Sequence, residues 1–430
     1  MGKLISFDIV FANQPPIFYS GQSVSGTVIV NLRDAMKMRG IRARIHGRAY
    51  SHVEVQQTRE YDDGQGGTRT ESYTEYYREY ETYLDHQVTI FGKEVGDRHG
   101  QNPVLPAGQH AFNFSFVLPP HLKMPSSVEL GHCNIRYMIV GTIDKPWKFD
   151  HIAKRAFTLL ESIDCNDPSL SQRPFPLQNE KFLCCLCCQS GPLKVTANID
   201  RCGYCPGEGI LLNAECENLT NRAMRGIRAK LVRLVKWKAR GYNDHRSSDY
   251  FEIKSPGEIA EGQSFSWSNQ LIQIPAVTPT ITSCGLISIK YEFQIAVIVP
   301  GGINLNLVFP ITIGTIPLRP SGMAASAPYY RESIDGAMEI REHDDSEYVM
   351  GGLTFAPMYA YANNYQPSLQ QGGPPVPAQP PAQLPVQPLA QPPLQPPPIM
   401  QPPQPTAQYP PENPAPVVQY PPGPPPSNMA

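Results

Sequence analysis

Apolar and polar residues alternate along most of the first 320 positions of the chain. Clear series run through 5–11, 24–32, 41–45 and 112–118. Because successive side chains of a β-strand point to opposite faces of a sheet, a period of two predicts strands with one buried face. Turn signals rich in Gly and Pro separate the series, and no helical stripe of three or more turns interrupts them. The pattern predicts an all-β protein built from β-sandwiches.

The chain also matches itself, in the same order, across its two halves. Residues 39–45 (RGIRARI) return at 225–231 (RGIRAKL). Three further matches join 19–22 with 204–208, 108–109 with 262–263, and 135–137 with 289–291. We therefore expect two tandem, related β-sandwich domains. The predicted boundaries are 1–170 for the first sandwich, 171–190 for a Cys-rich interdomain linker, 191–320 for the second sandwich and 321–430 for a tail.

The composition changes sharply towards the C-terminus. More than half of the 47 prolines lie after residue 366, where Pro, Gln and Ala dominate and charged residues are almost absent. Such a segment cannot bury enough apolar surface to offset chain entropy, so we expect a disordered Pro-rich tail, partly in polyproline II conformation. Its repeats suit docking to SH3 or WW domains, and 405–407 comes close to a motif that engages ESCRT machinery.

Charge and hydropathy narrow the cellular context. The formal net charge of −2 argues against a nucleic-acid-binding protein. The first 13 residues lack the apolar core of a signal peptide, so we expect a cytoplasmic protein whose ten cysteines stay mostly reduced. Residues 293–318 carry no charge, but Pro300-Gly301-Gly302 interrupts them, and we interpret them as buried strands around a turn and not as a membrane span.

The cysteines suggest three alternatives. A spacing close to that of a four-thiolate zinc site arises from two pairs, Cys185 with Cys188 and Cys202 with Cys205. Reversible acylation is the second alternative, and its candidates are Cys184, Cys185, Cys187 and Cys188. The third, which we favour, is that these cysteines are inert surface or packing residues. Gly2 is a further lipidation candidate, because Gly second and Ser sixth fit an N-myristoylation pattern; with such lipid attachment, peripheral membrane association is expected.

A basic strip is predicted on one face of a strand in each half. Arg42, Arg44 and Arg48 alternate with apolar residues, and Arg228 with Lys230 repeats the arrangement. Such a strip could bind acidic or phosphorylated cytoplasmic tails, or anionic lipid headgroups. The alternative is a solvated face whose charges are balanced by neighbouring strands.

Other features favour structural roles. The segment 73–83, rich in Tyr and acidic residues, follows a Gly-rich loop, and a long edge hairpin explains it better than a phosphorylation site does. Motifs for phosphate loops, zinc proteases and serine hydrolases do not occur in the sequence. We therefore expect no catalytic site and no cofactor.

Several motifs together resemble those of the α-arrestins, the family of arrestin-domain-containing proteins. In the first half they are 19–26 (YSGQSVSG), 105–110 (LPAGQH) and 144–147 (DKPW). In the second half they are 203–208 (GYCPGE) and 313–318 (IGTIPL). The similarity runs from about residue 4 to 318 and implies two tandem arrestin-like sandwiches.

The resemblance also implies a function. An α-arrestin is a non-enzymatic adaptor that links membrane cargo, such as receptors and transporters, to HECT ubiquitin ligases with WW domains, and is recruited to the plasma membrane and endosomes. The family docks these ligases through Pro-Pro-x-Tyr motifs. Here only 356–359 (APMY) comes close, retaining Pro357 and Tyr359. Because WW domains bind an extended proline helix and read the Tyr in a second pocket, we expect weakened docking.

A second hypothesis is a regulatory protein that binds a soluble partner, in the manner of the thioredoxin-interacting relatives. Such an activity requires a redox-active cysteine that forms a mixed disulfide. The candidates are Cys202, Cys216 and Cys284.

Overall fold

The first sandwich is formed by the N-terminal part of the chain. The computed structural model describes residues 3–62, 67–97, 99–185, 188–319, 329–340, 348–349 and 354–362. The strands of the first sandwich are β1 (Leu4–Phe11), β2 (Ile17–Tyr19), β3 (Ser23–Leu32), β4 (Met36–Lys37), β5 (Gly40–Asp62), β6 (Thr68–Gly92), β7 (Val104–Leu105), β8 (Gly108–Val117), β9 (Val128–Glu129), β10 (Cys133–Asp144) and β11 (His151–Leu160). One sheet has the order β1-β3-β8, and the main path of the other is β2-β11-β10-β5-β6.

A short connection leads to the second sandwich. It contains the helix α1 (Pro168–Ser171), which begins where the side chain of Asp167 accepts a hydrogen bond from the Ser169 N–H. Pro168 fits the first helical position because its missing N–H would have no partner there.

The second sandwich repeats the layered plan. Its strands are β12 (Leu177–Cys185), β13 (Cys188–Ile199), β14 (Gly203–Tyr204), β15 (Gly209–Asn218), β16 (Ile227–Ala239), β17 (Tyr242–Lys254), β18 (Ser264–Gln273), β19 (Ile287–Val297) and β20 (Leu305–Ile313). One sheet has the order β12-β13-β15-β18 and the other β14-β20-β19-β16-β17. The prediction of an all-β fold with two tandem sandwiches is confirmed.

The repeated sequence motifs occupy equivalent places in the two sandwiches. Gly21 and Gly207 both turn the chain between two strands with positive φ values of 86° and 87°, which a glycine adopts without strain. Tyr137 on β10 and Tyr291 on β19 are both buried. Their hydroxyls donate to main-chain carbonyls 12 and 13 residues upstream, at Pro125 and Thr278 respectively.

The tyrosine-rich segment forms a long hairpin. Strands β5 and β6 pair from Gly40 with Gly92 to Asp62 with Thr68, with register shifts after Ile41 and after Gly47. Strand β6 lies at the edge of its sheet, so the interpretation of 73–83 as part of an edge hairpin is confirmed. The uncharged stretch also forms strands, β19 and β20, around a turn at 298–304. Among the residues described, no helix is long and apolar enough to span a membrane.

Two predicted boundaries are wrong. The second half of the supposed linker 171–190 forms the hairpin β12–β13, which belongs to a sheet of the second sandwich. The supposed tail 321–430 begins with ordered strands, namely β21 (Tyr329–Glu332), β22 (Met338–Glu339), β23 (Tyr348–Val349), β24 (Thr354–Phe355) and β25 (Met358–Tyr361). In both cases strands lie within a composition that suggested irregular chain. Residues 363–430 lie outside the described part.

Candidate functional site

A C-terminal segment packs against both sandwiches. We call its described parts, 329–340 and 354–362, the strap. Within it, β21 pairs with β25 and β22 pairs with β24, both antiparallel. These pairings satisfy some main-chain donors and acceptors of the strap within the segment itself.

Tyr359 anchors the strap between the two sandwiches. Its side chain is only 1% exposed and packs with Ile17 and Leu160. The hydroxyl donates to the Ser127 carbonyl of the first sandwich at 3.0 Å and lies 3.3 Å from Thr278 Oγ1 of the second. Burial raises the pKa of Tyr359, so the hydroxyl stays protonated as a donor.

A buried ion pair provides a second anchor. Asp335 of the strap accepts two hydrogen bonds from the Arg233 guanidinium on β16, at 2.6 Å and 3.1 Å. The Tyr250 hydroxyl donates to Asp335 at 3.2 Å, and the Arg233 guanidinium lies over the Tyr250 ring. Because Arg233 is buried, this bidentate pair compensates a charge that would otherwise be costly to bury.

Main-chain hydrogen bonds extend the attachment. The Ala362 N–H donates to the Pro206 carbonyl at 2.8 Å, and the Ile334 N–H donates to the Ala276 carbonyl at 2.9 Å. On the first sandwich, the Met358 N–H donates to Thr158 Oγ1 at 3.1 Å. The strap therefore contacts both sandwiches through side chains and main chain.

The two sandwiches also contact each other directly, at a surface that we call the seam. Trp237 on β16 donates its Nε1–H to the His52 carbonyl at 2.9 Å, and its ring stacks on His132 with centroids 5.5 Å apart. Beside it, Ser51 Oγ donates to the Lys238 carbonyl at 2.6 Å.

The interdomain connection is hydrogen-bonded to the second sandwich, mainly to the segment that follows its last strand, β20. Thr315 Oγ1 donates to the Glu161 carbonyl at 2.6 Å and accepts from the Ile163 N–H at 2.9 Å. The Ser283 hydroxyl donates to the Glu161 carboxylate at 2.6 Å. These bonds join segments that lie more than a hundred residues apart in sequence.

The predicted WW-docking residues lie in the strap. Pro357 accepts a hydrogen bond from the Ser333 N–H through its carbonyl, and Tyr359 is fully buried. A WW domain must enclose the tyrosine ring, so this conformation does not expose the docking motif. Docking of a WW domain at Pro357 and Tyr359 therefore stays a prediction, and it requires a conformation in which the tyrosine is exposed.

The predicted basic strips are neutralised by neighbouring side chains. Arg42 is 7% exposed and pairs with Asp144 at 2.8 Å. Arg44 makes a bidentate pair with Asp85, whose hydrogen bonds from Arg44 lower the pKa of that carboxyl. Arg228 pairs with Glu252 and Lys230 with Asp249, whereas the Arg48 guanidinium lies over the neutral ring of Tyr80. The structure therefore favours the alternative of a charge-balanced face.

The four-cysteine zinc hypothesis is wrong. Cys185 and Cys188 are paired across the closed end of the β12–β13 hairpin. Cys202 and Cys205 follow the opposite end of β13, whose twelve residues span eleven steps of about 3.3 Å, so the two ends lie roughly 36 Å apart. The buried Cys205 instead lies beside the buried Cys165, with the two sulfurs 3.7 Å apart.

The three redox candidates lie in environments that suppress thiolate formation. Cys216 is buried, and burial raises its pKa to about 12. Burial also raises the pKa of Cys202 and of Cys284, both of which are half-buried. Because the thiolate is the reactive species, these surroundings do not favour mixed-disulfide chemistry.

The structure leaves the lipidation predictions open. Gly2 and Cys187 lie outside the described residues. Cys184, Cys185 and Cys188 lie on the strands of the β12–β13 hairpin, where only their main chain is described. Lipidation of these four cysteines and of Gly2 therefore remains a prediction.

Sequence reasoning missed the residues that make the strap and the seam. One of them carried a signal, because Arg233 occupies an inward position in the alternating apolar series of β16. A charged residue at a core position is rarely buried without a partner, which predicts an acidic residue elsewhere in the chain. Nothing in the local sequence identifies Asp335 as that partner.

Comparisons with known proteins agree with the architecture. The family described as "Arrestin (or S-antigen), N-terminal domain" matches residues 7–166, and its C-terminal counterpart matches 189–318. Arrestin domain-containing protein 17 of Caenorhabditis elegans is 28% identical over 325 residues, which is 74% of this chain and 72% of that protein.

Two mammalian relatives extend the comparison. Arrestin domain-containing protein 4 of Mus musculus is 27% identical over 335 residues, which cover 78% of this chain and 77% of that protein. Thioredoxin-interacting protein of Mus musculus is 26% identical over 340 residues, which cover 77% and 80% respectively. With both arrestin domains matched and both sandwiches present, the chain belongs to the arrestin family, in the α-arrestin group of arrestin domain-containing proteins.

Proposed function

We propose that the protein is a non-enzymatic adaptor that links cytoplasmic tails of membrane receptors or transporters to WW-domain HECT ubiquitin ligases and to endocytic sorting machinery. It works in the cytoplasm and is recruited to the plasma membrane and endosomes. Arrestin-family proteins are generally non-enzymatic adaptors, which supports the adaptor role in this proposal. The Pro-rich sequence after residue 366 supplies further docking candidates for WW, SH3 or ESCRT partners.

The proposal that the protein binds a ubiquitin ligase rests on the position of Tyr359. Its hydroxyl contacts both sandwiches. Its ring belongs to 356–359, the one segment within 329–340 and 354–362 that resembles a WW ligand. Packing of the strap and binding of a WW domain need the same tyrosine, so they exclude each other. Ligase recruitment through 356–359 therefore requires release of the strap.

A pull-down with WW-domain ligases tests this coupling. Asp335→Ala removes the strap's ion pair with Arg233 but leaves 356–359 intact, so it should bind more ligase than wild type. Asp249→Ala is the matched control, because Asp249 pairs with Lys230 on an exposed face and does not touch the strap. It should bind as wild type does.

A double variant tests whether an increase in ligase binding comes from the segment 356–359. Adding Pro357→Ala to Asp335→Ala should remove the increase, whereas binding through the Pro-rich tail would persist. If Asp335→Ala and Asp249→Ala bind ligase equally, the strap does not gate docking. If none of the proteins binds, ligase recruitment is removed from the proposal, and proximity labelling in cells would test the cargo part alone.

A further inference from the structure

Two histidines and a glutamate converge at the seam. His52 and Glu54 are two residues apart on β5, so their side chains leave the same face of the sheet. His132 lies directly before β10, and its carbonyl accepts the His52 N–H at 2.9 Å, which places it beside His52 on the neighbouring strand. The fold, and not the local sequence, therefore brings the three side chains together.

The three potential ligand atoms form a compact set. His132 Nδ1 lies 3.3 Å from His52 Nε2, and His52 Nε2 lies 3.6 Å from Glu54 Oε1. All three atoms lie within 4.8 Å of one another. Zinc bonds to His nitrogen and carboxylate oxygen are about 2.0–2.2 Å long, so two ligands of a tetrahedral centre are about 3.3–3.5 Å apart. The His132–His52 and His52–Glu54 separations are close to these values, and a turn of the exposed Glu54 side chain can bring its carboxylate nearer to His132.

The seam holds the histidines in position. The ring of His132 is parallel to that of Trp237, with an interplanar angle of 4°. The His52 main chain is fixed by the Trp237 Nε1–H, and Trp237 itself is buried. Glu54 is exposed and can turn towards the two rings. Such a pre-positioned pair of imidazoles with one adjustable carboxylate lowers the ordering cost of binding an ion.

Two charged groups lie near the rings. Glu54 attracts a cation, whereas Arg78, which pairs with His52 on the adjacent strand, repels one.

We propose that His52, Glu54 and His132 bind a divalent transition metal ion, with zinc the best match to two imidazoles and one carboxylate. Three protein ligands leave the fourth position to water or to a group from a partner. Binding fixes the His132 ring against Trp237 and thereby stiffens the seam between the sandwiches.

Metal titration of the full chain tests the proposal. The chelator-treated protein is titrated with zinc by calorimetry and with cobalt by visible absorption, which separates nitrogen and oxygen ligands from the thiolates of the Cys-rich hairpin. Wild type and the control His245→Gln, an exposed histidine on β17, should bind one ion with a nitrogen and oxygen spectrum. Glu54→Gln should weaken binding at least tenfold.

His132→Phe retains an aromatic ring for Trp237 and should abolish binding. Zinc should also raise the melting temperature of wild type but not that of His132→Phe, because an ion that binds only the folded chain stabilises it. Equal affinity in wild type, Glu54→Gln and His132→Phe would overturn the proposal. So would a cobalt spectrum of thiolate type alone, or no binding by wild type.

Discussion

Among the anchors of the strap, Tyr359 is the one whose side chain contacts both sandwiches, which makes it an informative position to change. Tyr359→Phe leaves the ring but removes the hydroxyl, so the buried Ser127 carbonyl loses its donor at a cost of about 1–2 kcal/mol. Tyr359→Ala also removes a ring that is 1% exposed, and truncations of this kind cost about 3–5 kcal/mol. Because each 1.4 kcal/mol is about a tenfold change in an equilibrium, strap opening should increase roughly 5- to 30-fold for Phe and more than about 100-fold for Ala.

Hydrogen exchange measured by mass spectrometry reports this opening directly. Peptides covering 329–334 and 354–362 should exchange faster in the order wild type, Tyr359→Phe, Tyr359→Ala. Exchange in β19, within the core of the second sandwich, should remain unchanged because only the strap is released. Tyr361→Phe is the matched control on the same strand, since the Tyr361 hydroxyl makes a single long contact of 3.4 Å with Gln273.

Two results would refute this reasoning. One is equal exchange of 354–362 in wild type and Tyr359→Ala, which would mean that other contacts hold the strap. The other is a similar increase for Tyr361→Phe and Tyr359→Phe, which would mean that the buried hydroxyl has no special role.

Three further predictions concern other features of the molecule. Tyr137→Phe and Tyr291→Phe should each lower the free energy of unfolding by about 1–2 kcal/mol in urea denaturation, and clearly unequal losses would contradict their equivalent roles. Cys216, whose pKa is raised to about 12, should form roughly a thousand-fold less thiolate at neutral pH than an ordinary cysteine, so iodoacetamide should modify it only after denaturation, as judged by mass spectrometry. Asp85→Asn removes the carboxylate that faces Arg44 and should increase co-sedimentation with anionic vesicles. In wild type, hydrogen bonds from Arg44 lower the pKa of Asp85 below its ordinary value of 3.8, so the ion pair is lost only as the pH falls through that lowered pKa. Vesicle binding that rises between pH 7 and 5 in wild type but not in Asp85→Asn would contradict this assignment.

The sequence predicted the fold well because the relevant signals are local. One-sided burial imposes a period of two on each strand, and the alternating burial of β3 reproduces the series at 24–32. The duplicated motifs identified the second sandwich because Gly207 and Tyr291 perform the same tasks as Gly21 and Tyr137. These local patterns can be recognised in the sequence without knowing which strands become neighbours in a sheet.

The strap was missed because its stability comes from surfaces that only the folded sandwiches create. Strand β25 has four residues, and its neighbours in sequence are rich in Pro, Gly and Asn. The average composition therefore suggested irregular chain, although Tyr359 fills a buried site between Ile17 and Leu160. The two alternatives for the basic strips stayed open for a related reason, since Asp85 and Asp144 face them from strands whose register the pattern does not fix.

The bonds around Thr315 determine how the chain can be divided. A fragment that ends at residue 170 retains the Ile163 N–H and the Glu161 carbonyl but loses the threonine hydroxyl that serves both. It also loses the Ile316 carbonyl, which accepts the Cys165 N–H at 3.0 Å. Chimeras that exchange one sandwich with that of a relative should therefore transfer 161–165 and 315–316 together, since each segment completes the hydrogen bonding of the other.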